Sequence, residues 1–95
     1  MARAIVDGVV IAESEKYQYV EGNVYFPPES VKTEYFKPSS LHTTCHWKGE
    51  ASYYIVQVND KTLENAAWFY PDPKKAAEAI RDHVAFYANK VKIEK

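Results

Sequence analysis

Ala4-Ile5-Val6 and Val9-Val10-Ile11 are two short β-branched runs separated only by Asp7-Gly8. A link of that kind reads as a hairpin, because Asp-Gly accepts the positive φ angles of a type I′ turn. A chain that opens this way commits its first segment to antiparallel sheet. The pattern recurs in Tyr17-Gln18-Tyr19-Val20, Glu21-Gly22-Asn23 and Val24-Tyr25-Phe26, a hairpin with a longer loop. Pro27-Pro28 then removes two backbone donors and ends the strand. Val31 to Phe36 reads as a further strand and Pro38-Ser39-Ser40 as a loop. Leu41 to Trp47 favours a strand through its threonines and aromatic character. Lys48-Gly49 is a turn, Ala51 to Val58 the returning strand, Asn59-Asp60-Lys61 another turn and Asn65 to Tyr70 a last strand of this group.

One helix is predicted after these strands. Asp72 is a good N-cap, Pro73 suits the first turn, and Ala76, Ile80, Val84 and Tyr87 recur at helical spacing. Val91-Lys92-Ile93 alternates as a final strand would. The expectation is a single domain over residues 1–95, mainly β and antiparallel, with one α-helix in the C-terminal half.

Composition narrows the functions. With 12 basic and 13 acidic side chains the formal charge is −1, and Lys74-Lys75 is the only adjacent basic pair. Such a chain has no long-range field to hold nucleic acid or anionic lipid, so neither is an expected partner. A single cysteine cannot form an intramolecular disulfide or a multi-cysteine zinc site. Met1-Ala2-Arg3-Ala4-Ile5-Val6-Asp7 meets charge too early for a signal peptide, and no apolar run reaches the ~20 residues of a membrane span. The expected setting is the cytoplasm, with no metal and no cofactor.

His42-Thr43-Thr44-Cys45-His46-Trp47-Lys48-Gly49 concentrates the chain's chemistry, with its only cysteine and two of its three histidines. In a strand, His42, Thr44 and His46 share one face and Thr43, Cys45 and Trp47 the other. The two histidines then stand about 13 Å apart and cannot ligate one metal. Cys45 has two readings: a small hydrophobe packed on Trp47, or a thiolate assisted by His42, Lys48 or His83. Lys48 also has two: a solvated lysine at a hairpin tip, or a cation at the mouth of a pocket, able to pair with a small anionic ligand. On the pocket reading Lys48→Ala would weaken an anionic ligand but leave folding nearly intact. In Tyr53-Tyr54-Ile55-Val56-Gln57-Val58, the set Tyr54, Val56 and Val58 is the core face and Tyr53 lies on the second face. Trp68 and Tyr70 share a face in another aromatic cluster. Glu13, Glu15, Glu21 and Glu34 form no recognisable acid/base pair.

Several blocks, in order, resemble the DUF427 family of small domains of unknown function, sometimes labelled nucleotidyltransferase-like. They are Val20-Glu21-Gly22-Asn23, Tyr25-Phe26-Pro27-Pro28, Cys45-His46-Trp47-Lys48-Gly49-x-Ala51-Ser52-Tyr53-Tyr54 and Ala66-Ala67-Trp68-Phe69-Tyr70-Pro71-x-Pro73. The match runs from near Ala4 to near Ile93. Many relatives read Cys-Pro-Trp-Lys-Gly where this chain has His46, a change that restores a backbone donor. The resemblance implies a curved, Mss4-like or β-tent-like antiparallel sheet. Many proteins of that architecture hold zinc through four cysteines, a set this chain does not have. Nucleotide transfer commonly needs paired carboxylates for magnesium and a glycine-rich phosphate cradle, and the chain has three scattered glycines and no Asp-x-Asp.

Two functions fit these residues. One is a binding module for a small ligand or a protein, with an aromatic pocket formed by Trp47, Lys48, Tyr53, Trp68 and Tyr70 and flanked by His42. The other is a small enzyme using Cys45 or Lys48 as nucleophile or electrostatic anchor. Exposed edge strands also leave room for a homodimer.

Overall fold

Antiparallel pairing begins at the first predicted turn and organises nearly all of the computed structural model, which describes residues 1–95. Strands β1 (Ala2–Val6) and β2 (Val9–Ser14) form the first hairpin. Asp7 and Gly8 take φ values of 53° and 78°, the positive pair that type I′ requires. β3 (Gln18–Val20) and β4 (Asn23–Tyr25) form the second. Its turn is tighter than expected, because Glu21 joins Gly22 in the left-handed region at φ 53° and the two residues suffice.

The residues after Pro27 do not make the predicted strand. Pro28–Ser30 and Thr33–Tyr35 are short 3-10 turns, and of the stretch between them only Val31 bridges to Ala12. The prolines set φ for a turn, and the Ser30 amide and hydroxyl both donate to the Pro27 carbonyl, at 3.0 and 2.7 Å. β5 (Phe36–Cys45) starts earlier than expected and absorbs Pro38-Ser39-Ser40 as an irregular stretch where the register shifts. It is the edge of its sheet, where a proline without an N–H is tolerated.

β6 (Gly49–Val58), β7 (Lys61–Phe69) and β8 (Ala85–Phe86) complete a four-stranded sheet in the order β5-β6-β7-β8. β9 (Lys92–Glu94) joins β1 to give β2-β1-β9. The expected final strand therefore exists.

The predicted α-helix does not. Residues Lys75–Ile80 form a 3-10 segment kinked at Ala77 (φ −115°, ψ 19°), and Lys74, not Asp72, stands at its start. The reason lies just downstream. Val84, Ala85 and Phe86 are consecutive and all buried, Val84 and Phe86 in one core and Ala85 in another. A helix would turn one of them toward solvent, whereas a strand buries both faces. Val84 exchanges two 2.8 Å backbone hydrogen bonds with Phe26, and β8 pairs with β7. These pairings outweigh a helix propensity that is weak against tertiary contacts. No helix in the molecule is long and apolar enough to cross a membrane.

Two cores result, and the four-stranded sheet contributes to both. The first holds Val56 and Val58 with Ile11, Phe26 and Phe86, and half-buried Tyr54 packs on it. The second holds Tyr25, Tyr53, Trp68, Tyr70 and Ile80. The alternation read along β6 is therefore correct, with Tyr53 facing away from Val56 and Val58.

Gly49 ties the β5–β6 turn to the chain beyond β7. It sits at φ 110°, and a Cβ there would come within 3.3 Å of the Asp72 carbonyl oxygen and 3.4 Å of the Lys74 nitrogen. The Lys74 amide donates to the Lys48 carbonyl at 2.9 Å and its ammonium to the His46 carbonyl at 2.7 Å. Gly49→Ala should therefore cost about 1–3 kcal/mol, read as a lowered urea midpoint. An unchanged midpoint would mean that the turn can leave residues 72–74 without loss.

Candidate functional site

The docked turn, residues 46–48, carries Lys48 inward. Its side chain is only 8% exposed, and its ammonium donates a 2.5 Å hydrogen bond to Glu21 in the β3–β4 turn. The ammonium also lies 5.4 Å from the ring centres of both Trp47 and Tyr70, within cation–π range. Trp47 adds its indole N–H to the other Glu21 oxygen at 3.3 Å. Lys48 is thus neither a solvated hairpin tip nor a cation at a mouth. Burial opposes its charge and is the largest single effect. The hydrogen bond to Glu21, together with the Tyr25 and Tyr70 phenols, outweighs burial and raises its pKa. A lysine held protonated is a poor nucleophile, because attack needs the neutral amine. Glu21 answers in kind: the hydrogen bond from Lys48 holds its carboxyl below the usual glutamate range.

Around this pair the tyrosines connect to one another. Trp68 donates its indole N–H to the Tyr25 hydroxyl at 3.2 Å inside the second core, and the two rings meet edge to face. Tyr53 shares a 3.0 Å hydrogen bond with Thr43 and a 3.4 Å one with Tyr87. That bond to Tyr53, then burial, pushes the Tyr87 phenol above its ordinary value. Burial also pushes Tyr70 up, with Lys48 opposing. No buried polar side-chain atom lacks a partner. This network satisfies itself, which is the signature of structure rather than of a waiting site.

The structure therefore gathers Cys45, Trp47, Lys48, Tyr53, Trp68 and Tyr70 on one side of the sheet, as the alternation of Thr43, Cys45 and Trp47 implied. His42 stays apart, exposed on β5 with Nδ1 3.2 Å from the Ser52 hydroxyl. Cys45 is half-buried: it packs against the second core and stays partly exposed. No three His, Cys, Asp or Glu side chains converge as metal ligands.

The molecule's cavity is elsewhere. A single concavity of about 430 Å³ opens on the other side of the sheet, and none of the seven residues singled out in the sequence lines it. Its wall includes the rings of Phe36, Tyr54 and Phe69. Tyr54 stacks on Phe69 at 4.6 Å and meets Phe36 edge-on at 5.5 Å. Thr33 comes from the second 3-10 turn, Val31 from the stretch between the two turns, and Asp82 and Val84 from the connector before β8. Tyr54 and Phe69 lie beside Tyr53 and Trp68 in sequence, and strand alternation sends them to the opposite face. The aromatic doublets were visible in sequence, but which member faced open space was not. Asp82 was hidden inside the expected helix, and Phe36 at the end of a strand that does not form.

The partnership of Lys48 with Glu21 reverses the expectation for Lys48→Ala. Losing the buried stem between Trp47 and Tyr70 should cost about 2 kcal/mol or more in urea unfolding. Glu21→Gln should lower the midpoint at neutral pH. The Glu21 pKa is depressed in the folded chain, so its contribution is complete above the unfolded value of about 4.3 and is lost as pH falls through the lower folded value. Wild type and Glu21→Gln should therefore converge in acid. A pH-independent gap would mean that the charge of Glu21 is not what holds Lys48.

A family model described as a domain of unknown function, DUF427, matches residues 1–95, the whole chain. No curated protein sequence matches it. The blocks that carry the likeness now have structural roles. Val20-Glu21-Gly22-Asn23 supplies the acidic partner in its turn, Trp47-Lys48-Gly49 the docked lysine, and Trp68-Phe69 both faces of β7, with Tyr70 just beyond it. The chain belongs to the DUF427 family.

Proposed function

We propose that the protein is a binding module for a small molecule, and that its site is the cavity walled by Phe36, Tyr54 and Phe69. The observation that carries this reading is the cavity's form: about 430 Å³ of open space against three rings, with the hydroxyls of Thr33 and Tyr54 and the Asp82 carboxylate as its few polar side-chain groups. Ligand sites of small molecules have this size and this mixture of apolar wall and few polar groups. The wall contains no cysteine, histidine or lysine, and its polar side chains are limited to Thr33, Tyr54 and Asp82. Lys48 and Cys45, the residues an enzyme would use, lie in the second core on the opposite face. An anionic ligand at Lys48 would have to displace Glu21 from a buried cation, and burying a rearranged ion pair is costly. The reading includes the Mss4-like, β-tent-like architecture that family resemblance implies, and a reducing, cytoplasmic setting in which a lone half-buried thiol persists unoxidised.

A fragment screen followed by amide chemical shifts tests this directly. Hits should move the amides of Phe36, Tyr54, Phe69 and Val84. Thr33→Trp should abolish those hits while leaving the unfolding midpoint within about 0.5 kcal/mol of wild type, since Thr33 is exposed at the cavity's edge. Hits that instead cluster on Trp47 and Tyr53, and survive Thr33→Trp, would move the site to the other face.

A further inference from the structure

The cavity has a sign. Asp82 is the only charged residue on its wall, and the residue forms no ion pair. Arg81, its neighbour in sequence, spends its hydrogen bonds elsewhere: its guanidinium holds Glu78 through two of them and donates to the Pro71 carbonyl at 3.0 Å, and Asp82 reaches it only as the smallest of the charges acting on it. The Asp82 carboxylate lies close enough to Tyr54 to help raise that phenol's pKa, second to burial.

Its backbone is fixed on both sides. Asp82 donates its N–H to the Tyr70 carbonyl at 3.0 Å, Arg81 bridges to Tyr70, and Val84 bridges to Phe26. The residue itself sits at φ 58°. Of the five non-glycine residues with positive φ, Asp7, Glu21 and Asn59 lie in hairpin turns and Asn65 at the β6–β7 register shift. Asp82 belongs to none of these and holds an uncommon conformation in a connector that lines the cavity. Strain of this kind concentrates where a side chain must be presented in one place.

We propose that the cavity binds a small organic cation, a quaternary or tertiary ammonium, seated against Phe36, Tyr54 and Phe69 and paired with the Asp82 carboxylate. Ring faces carry negative charge density and attract a cation within about 6 Å, most strongly when its hydration shell is weak, as an alkylated ammonium's is. A carboxylate beside such rings adds a charge that the cavity otherwise lacks. An anion would meet Asp82 with no cation on the cavity wall to compensate it. A neutral ligand would fill the space without using its one charge. The proposal rests on the cavity being the binding site, and its test separates the two claims.

The test is an amide-shift titration with (2-hydroxyethyl)trimethylammonium and with its uncharged carbon isostere, 3,3-dimethylbutan-1-ol. The ammonium should saturate the shifts of Phe36, Tyr54, Asp82 and Val84, and the isostere should bind about tenfold more weakly. Asp82→Asn should weaken the ammonium by about the same factor and leave the isostere unchanged. Asparagine tolerates left-handed backbone, so the connector keeps its shape. If both probes bind the cavity equally, it remains a binding site and the cation proposal is overturned. If neither moves these amides, or the ammonium moves only scattered acidic surface residues, both claims fall.

Discussion

Lys48 and Glu21 are 27 residues apart in sequence and meet because three separate turns converge on them. The β3–β4 turn brings Glu21, the β5–β6 turn brings Lys48 and Trp47, and the chain after β7 brings Tyr70. Glycine makes the convergence possible at one point only. Gly49 lets the β5–β6 turn press against residues 72–74, and that approach directs the lysine inward. A buried ammonium without a partner is costly, so the pair does more to specify one arrangement of these turns than to add raw stability. The surrounding tyrosines and Trp68 then pack as a second core with its polar atoms paired among themselves.

The four-stranded sheet separates two kinds of aromatic chemistry. On one face the hydroxyls and indole N–H groups are used up internally, and the rings are scaffold. On the other, Phe36, Tyr54 and Phe69 stand against open space beside a carboxylate with no basic partner. Adjacent residues such as Tyr53 and Tyr54, or Trp68 and Phe69, serve opposite purposes because strand geometry assigns them to opposite faces. A residue-dense motif is therefore a poor guide to a site when the density is what holds a turn in place.

The hairpins were legible because glycine after a polar residue carries its own backbone requirement, although the second link, expected as three residues, closes with two. The faces of β6 were legible because side chains alternate strictly. The helix was misread because Ala76, Ile80 and Val84 satisfy a helical period while Val84, Ala85 and Phe86 satisfy sheet burial, and the sheet offers two cores to bury them in. The strand over Val31–Phe36 was misread because β-branched composition says nothing of the turns that Pro27 and Pro28 impose.

The sequence by itself determined that the chain is mainly β, antiparallel, and built with one thiol and nearly balanced charge, because turn chemistry, side-chain alternation and composition are local properties. Tertiary structure alone decided which charge is neutralised and which is left open. Lys48 could be read as a free cation and is paired; Asp82 falls within the span of the predicted helix and lines the cavity. Whether a charged side chain has a partner depends on residues brought from elsewhere in the chain, and that is settled only when the turns have docked.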